Sequence, residues 1–522
     1  MARVLVRGLP DGEVWREDDR PREECGVVGL FQVPDAAQLV YRGLFALQHR
    51  GQESAGRAWA EDRDIVVDKG MGLVSEVLTT LGPPHARLAI GHVRYSTTGT
   101  SSLDNAQPLL MRSRFGPMAL AHNGNLTNHA ALRRTLEARG AIFQTSSDSE
   151  VLAHLVAHGV AQRWLTALEG AAHQLLGGFA YVVLTPTSLV ALRDPHGIRP
   201  LVVGTRDGGM VLASETAGLD AMGATYLRDV EPGEMLVIDR DGMSTRRPWG
   251  PVPAAATPCA FELVYFSRSD SVSHGQSVHR TRRALGRQLW KEQPADADVV
   301  VGVPDSSLPA AMGYAEAAGL PLDFGLVKNR YVGRTFIVPN QTGRADSVAL
   351  KLSAVEDVVR DRRVVLVDDS LVRGTTAARL VELLRRAGAR AVHMRIASPP
   401  YTHPCHYGID TSRSRELAAA SLSGPELLER IGADTLGYLS QEGLREALPG
   451  RGAWCLACFG AGYPVPIEED EEPKFSDRTV APGLAGSPSE ALSQGLPPVR
   501  PAAAPCVAEA AHVSKEGALQ AR

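Results

Sequence analysis

The sequence predicts an α+β unit of stacked sheets with helices outside them, followed by an α/β unit on a mostly parallel sheet. Three observations carry this expectation. Between residue 25 and about 250, short β-rich runs outnumber helical ones. From about 256 onward, strand-like and helical runs alternate, which is the pattern of βαβ units. The change of texture falls at a Pro/Ala-rich passage, RRPWGPVPAAATP at 246–258.

Taken in order, residues 1–24 form a charged leader without an apolar core, so they do not read as a secretory signal. A lone cysteine, Cys25, then opens the apolar run CGVVGLF. Further strands are expected at ARLAIGHVRY, PMALAHNG, FAYVVLTP, LVALRD, PLVVG, GMVLAS and EMLVIDR, with helical stretches near 37–50 and 148–175. Past the boundary, DVVVGVP, RRVVLVDD and ARAVHMRIASPP read as strands, and RTRRALGRQLWKEQ, SLPAAMGYAEAAG and TTAARLVELLRRAG as helices. In such folds ligands bind at the carboxyl ends of the strands. From about 466 the chain turns to Glu, Pro, Ala, Ser and Gly, too polar to offset its ordering entropy, and a disordered tail is expected there. Cys506 in that tail reads as a bystander.

Composition removes several function classes. With 44% hydrophobic and 22% charged residues over 522 positions, the chain is an ordinary globular protein long enough for two or more domains. A net charge of -4 gives no reason to expect a nucleic-acid or membrane-surface binder. No run approaches the roughly 18 apolar residues of a membrane span. The expected location is the cytoplasm, where six cysteines are metal ligands, nucleophiles or inert core rather than a disulfide framework.

The strongest local signal is VVLVDDSLVRGTT at 364–376. An apolar strand ends in Asp368 and Asp369, and a turn containing Ser370, Leu371, Val372, Arg373 and Gly374 leads to a helix opening with Thr375 and Thr376. The helix N-terminus favours a phosphate, and the paired acids suit Mg²⁺ or ribose hydroxyls. A plain acidic N-cap is the competing reading, and the hydroxyl–glycine–hydroxyl series weighs against it. The stretch resembles the 5-phosphoribosyl 1-pyrophosphate (PRPP) motif of type I phosphoribosyltransferases. A second strand end, VVVGVPDSSLPAAMGYA, places Pro304, Asp305, Ser306 and Ser307 where a pyrophosphate or Mg²⁺ ligand belongs, with Ser306 the expected Mg²⁺ ligand. Between the two, KNRYVGRTFIVPNQTGR (328–344) reads as a lid whose closure excludes water and brings cations, Lys328 and Arg334 among them, onto a pyrophosphate leaving group.

In the first half, QHRGQESAG, GHVRYSTTG, AHNGN and SSDSE are weak one by one. With Cys25, and in this order, they resemble the N-terminal-nucleophile glutaminases of the class II glutamine amidotransferases, implying an αββα sandwich. A first-residue cysteine carries its own base, an α-amine of pKa about 8; the leader must therefore be removed after Glu24. The resemblance implies Asn123 and Gly124 as the oxyanion hole, Arg94 as the clamp on the glutamine carboxylate, and Asp148 as partner of its ammonium.

A class II glutaminase (25–255) followed by a type I phosphoribosyltransferase (256–465) resembles the amidophosphoribosyltransferases. That family makes 5-phosphoribosylamine, glutamate and pyrophosphate from PRPP, glutamine and water at the first committed step of purine synthesis. It implies ammonia passing inside the protein, Mg²⁺ on Ser306, Asp368 and Asp369, and the 5′-phosphate on Ser370 to Thr376. Inhibition by purine nucleotides of the AMP, GMP and ADP type and a homotetramer are also implied. By count alone, Cys259, Cys405, Cys455 and Cys458 suit zinc or a [4Fe–4S] cluster equally, and the C-x-x-C is also compatible with redox chemistry or with no ligand. Their spread along the chain resembles the iron–sulfur, propeptide-containing branch, which implies the cluster. A hexosamine-phosphate synthase would need sugar-isomerase domains in place of VVLVDDSLVRGTT. A non-catalytic PRPP sensor would lack the acids or the lid, and a silent glutaminase would lack Cys25 or Asn123.

Overall fold

The computed structural model describes residues 25–95, 100–251, 256–329, 352–409, 411, 414–450 and 453–467, with the backbone of a strand at Val4–Arg7. The rest of the leader, most of the expected lid with Arg334, and the tail beyond 467 with Cys506 lie outside the described residues.

Two sheets form the first half. The larger has the strand order Val4–Arg7, Asp64–Met71, Ser54–Glu61, Leu88–Arg94, Gly26–Phe31, Gly209–Ala213, Val202–Arg206, Thr225–Asp229. The other runs Gly242–Arg246, Met235–Asp239, Leu189–Arg193, Gly177–Leu184, Gly116–Leu126, Leu109–Ser113. Val27, Ala58, Ile65 and Ile90 of the first pack on Ala119, Ala121, Val182 and Leu189 of the second. Strand periodicity sends alternate residues outward. Val28 and Val93 meet Leu39, Val40 and Leu44 of helix Ala36–Ala46, while Leu120 and Tyr181 meet Leu152 and Leu168 of helices Glu150–His158 and Trp164–Ala172. The layers are therefore helix, sheet, sheet, helix, as the αββα expectation has it.

The single helical stretch expected over 148–175 is two helices. Gly159 leaves the first in extended conformation (φ -63°, ψ 152°), and glycine's low helix propensity lets the chain turn there so that both helices lay an apolar face on the sheet. The strand Ser54–Glu61 escapes a reading by pattern because Arg57, fully buried, interrupts its apolar face. Its guanidinium Nη1 and Nη2 donate to Asp68 at 2.9 Å and to the carbonyls of Ala37 and Thr80 at 3.1 and 2.7 Å.

In the second half Val299–Gly302, Arg363–Asp368, Ala391–Ile396 and Thr435–Tyr438 pair in parallel in that order. Val365 and Val367 face helices Val278–Glu292 and Leu308–Ala318, whereas Val364 and Leu366 face helices Thr375–Arg386 and Gly424–Ile431. A strand covered on both sides reads as an unbroken apolar run, which is what VVLV is. Lys328 closes a short strand, Leu326–Lys328, paired antiparallel with Leu352–Ala354. The two halves pack as parts of one compact unit.

Candidate active site

Cys25 immediately precedes the strand Gly26–Phe31, and Gly26 pairs with Val93, so the cysteine meets the C-terminal end of Leu88–Arg94. Its thiol is buried and contacts the Tyr95 carbonyl at 3.5 Å. Burial pushes the thiol up to about 11, against the opposing pull of Arg94; Asp148 and Glu53 are the acids that act on it. Arg94 is itself buried, donates to the Thr100 carbonyl at 3.3 Å and lies 3.9 Å from Glu53. A cation and two acids thus act on the thiol, and their signs are the complement of an amino acid's carboxylate and ammonium.

The facing sheet supplies the remaining groups. Asn123 is fully buried, and neither its Nδ2 nor its Oδ1 has a hydrogen-bond partner in the protein. A buried amide left unmatched is costly, so its retention points to a partner that arrives during reaction. Gly124 sits at φ +132°, and a Cβ there would lie 2.1 Å from the Gly178 carbonyl oxygen; no other residue fits. Asp148 accepts from the Leu126 amide at 2.9 Å. Sequence reasoning missed Glu53 and the pair His122–Tyr181, stacked at 4.0 Å and 5°. His122 Nδ1 is 2.9 Å from Ser149 Oγ and 3.8 Å from Asp148, and burial lowers its pKa. Its position beside Asn123 in AHNGN was the available signal.

At the second centre, the strand ends carrying Ser306 and Asp368–Asp369 come together. Ser306 Oγ donates to Asp369 at 2.6 Å, Ser370 Oγ to Asp369 at 2.8 Å, and Ser307 Oγ lies 2.7 Å from Asp368 Oδ1 and 3.1 Å from Asp369 Oδ2. Ser307, placed at this strand end by the sequence but given no role of its own there, is fully buried and reaches both acids. Gly374 caps helix Thr375–Arg386 at φ +82°, leaving the first-turn N–H groups turned toward the loop. Leu371 and Val372 are buried in the cores, so only their backbone is available to a phosphate. Arg373 is tied to Glu416 at 2.7 Å, and Lys328 to Asp305 at 3.1 Å.

Cys259, Cys405, Cys455 and Cys458 are free, buried and members of one core. Cys259 and Cys455 form a parallel bridge, and the Thr402 and His403 amides donate to the Cys458 carbonyl at 3.0 and 3.1 Å. Burial raises the thiols of Cys259, to about 11, and of Cys455 and Cys458, and the other sulfurs are among the groups acting on each. Among the described residues no three His, Cys, Asp or Glu side chains close on one ion. Four buried thiols in one core fit a thiolate-ligated metal group by donor type. Asp368 and Asp369 would hold Mg²⁺ only with hydroxyl, phosphate or water oxygens completing its shell.

Residues 85–221 match the family described as glutamine amidotransferase domain, and 270–399 the phosphoribosyl transferase domain. Amidophosphoribosyltransferase of Synechococcus elongatus is 49% identical over 462 residues, 87% of this chain and 93% of the relative. The Bacillus subtilis protein of the same name is 49% identical over 457 residues, 86% and 95% of the two chains. Among solved structures, glutamine PRPP amidotransferase from B. subtilis complexed with ADP and GMP superposes with a TM-score of 0.81 at 48% identity, covering 86% of this chain and 99% of the other.

Proposed function

The chain belongs to the amidophosphoribosyltransferase family, and from that membership we propose how its own residues divide the work. The reaction transfers ammonia from glutamine to PRPP, giving 5-phosphoribosylamine, glutamate and pyrophosphate, the first committed step of purine nucleotide synthesis. The glutaminase occupies 25–255 and the phosphoribosyltransferase 256–465.

With the leader removed after Glu24, the α-amine of Cys25 takes the thiol proton and the sulfur attacks the glutamine amide carbon. Arg94 holds the substrate carboxylate and Asp148 its ammonium. The oxyanion that forms accepts from Asn123 Nδ2 and the Gly124 amide, the role for which Asn123 is left unmatched in the resting protein. The α-ammonium returns its proton to the amide nitrogen as the intermediate collapses, releasing ammonia and leaving a thioester on Cys25, which water hydrolyses to glutamate and the free thiol. Ammonia reaches C1 of PRPP inside the protein, attacks it, and the C1–O bond to pyrophosphate breaks.

At that second centre the backbone from Ser370 to Thr376 cradles the 5′-phosphate, and Lys328 and Arg334 take the pyrophosphate. Asp368, Asp369 and Ser306 hold Mg²⁺, which when bound offsets charge on the departing pyrophosphate. Ser307 orients both acids. Cys259, Cys405, Cys455 and Cys458 hold a [4Fe–4S] cluster, which when bound staples the segments that carry them. Purine nucleotides of the AMP, GMP and ADP type inhibit, the assembly is a homotetramer, and the enzyme works in the cytoplasm; among the described residues no helix is long and apolar enough to cross a membrane.

The fully buried, unmatched Asn123 amide is the observation that carries the glutaminase assignment. The test is glutamate release by anaerobically purified protein with and without PRPP and Mg²⁺. Release rises sharply with PRPP, and Cys25→Ser abolishes glutamine-dependent synthesis while sparing ammonia-dependent synthesis. Loss of both activities together in that variant would sink the assignment.

A further inference from the structure

A buried chain of charges runs from the nucleophile into the transferase half. Arg50, fully buried, donates from Nε to the Cys25 carbonyl at 3.2 Å, from Nη1 to Glu215 at 2.5 Å, and from Nη2 and Nη1 to the two oxygens of Glu262 at 2.5 and 3.1 Å. Glu262 lies three residues after Cys259 and opens a single π-helical turn, Glu262–Phe266. Its carboxylate also accepts from Ser267 Oγ at 3.0 Å and lies 3.7 Å from the buried Arg199. The far side of the turn is held by Arg282 of helix Val278–Glu292, which donates to the carbonyls of Leu263, Tyr265 and Ser267 at 2.9, 2.8 and 2.7 Å. Helix Val278–Glu292 in turn packs on Val365 and Val367 of the strand that ends in Asp368 at the PRPP centre. Isolated π-turns concentrate at functional sites.

A first-residue nucleophile is held to the fold on one side only. The plane of its carbonyl sets the rotation that carries α-amine and thiol into place, and here one arginine grips that carbonyl. We propose that Glu262 is a positioning residue for amide transfer: by orienting Arg50 from the transferase half, it fixes the Cys25 carbonyl and ties the glutaminase geometry to the state of the PRPP centre. The inference rests on Cys25 being the nucleophile. Glu215, of the glutaminase half, holds the same guanidinium and also accepts from the Arg268 amide at 2.9 Å and Ser271 Oγ at 2.8 Å of the transferase half. Glu262 is the acid that the transferase half itself supplies to Arg50.

The experiment is steady-state kinetics of Glu262→Gln in the full, leader-processed chain, purified anaerobically with its iron content and visible absorption recorded. The glutamine-dependent kcat falls about 10- to 100-fold, the size expected of a misplaced reacting group. The KM for glutamine stays within about twofold, because Arg94 and Asp148 are untouched, and the stimulation of glutamate release by PRPP shrinks. Ammonia-dependent synthesis and iron content hold. Arg50→Met combined with Glu262→Gln is no slower than Arg50→Met alone, since the two act as one unit. Should the neutral variant not fold, Glu262→Asp, which keeps the charge and shortens the reach, lowers the same kcat. An unchanged kcat, a parallel fall of both activities with loss of iron, or multiplying effects in the double variant would each overturn the proposal. Glutamine-dependent activity surviving in Cys25→Ser would instead overturn the nucleophile assignment beneath it.

Discussion

Substitution of Asn123 by alanine removes a fully buried side chain whose two polar atoms have no partner in the protein. In the resting enzyme an orphaned amide costs about 1–3 kcal/mol, a penalty that alanine relieves. Against this stands a lost packing term of similar size for the vacated volume. The two nearly cancel, so stability should change by no more than about 1 kcal/mol. In the transition state the balance is different. Loss of one preorganised donor to an oxyanion costs about 10²–10³ in kcat, or roughly 2.7–4 kcal/mol, because it acts where water is excluded. The catalytic effect therefore exceeds the structural one. The assay pairs urea unfolding with glutamate release and with ammonia-dependent phosphoribosylamine synthesis. The expected result is an unfolding midpoint near that of the parent, a glutamine-dependent kcat down at least a hundredfold, and an unaffected ammonia-dependent rate. A destabilisation of several kcal/mol, or a kcat retained within about threefold, would show that Asn123 is packing and that the oxyanion argument is wrong.

Ser307→Ala strips a fully buried hydroxyl from both acids of the PRPP centre and from the Asp369 amide, which donates to it at 3.1 Å. It should cost about 1.5–3 kcal/mol in a thermal melt and raise the KM for PRPP about tenfold, with the glutaminase KM for glutamine unmoved. In the chain that retains its leader, burial raises the Cys25 thiol from 9.0 to about 11, so the proton is held more tightly folded than unfolded. Its contribution to stability is complete below about pH 9 and is lost as pH rises toward 11. Urea unfolding at pH 8 and pH 10 should show a loss that Cys25→Ser does not share. Alkylation by iodoacetamide should climb about tenfold per pH unit from 7 to 10; a plateau near pH 8 would contradict the raised thiol.

Several features were legible because they are local. VVLV declares a strand covered on both faces, and the acids, hydroxyls and glycine after it occupy consecutive positions, so the strand end and helix start follow from the chain itself. Asn123–Gly124 and Ser306 sit in short motifs whose geometry the backbone enforces. The interruption of the 148–175 stretch at Gly159 was written as a glycine yet could be weighed only against the sheet that both helices must cover. Arg57 hid a strand because its buried charge makes sense only once Asp68 and two carbonyls are beside it. Ser307 stood in view next to Ser306, and only the convergence of two strand ends showed that it reaches both acids.

The sequence by itself determined which chemical groups this protein owns and the order in which they come: a cysteine after a polar leader, an amide–glycine pair, paired acids before a helix, four more cysteines. Tertiary structure alone decided which distant charges are buried together. Arg50 and Glu262 stand 212 positions apart and carry no mutual signal in composition or periodicity. Burying an ion is tolerable only beside its counter-charge, and that pairing exists only after both halves have packed and water has left.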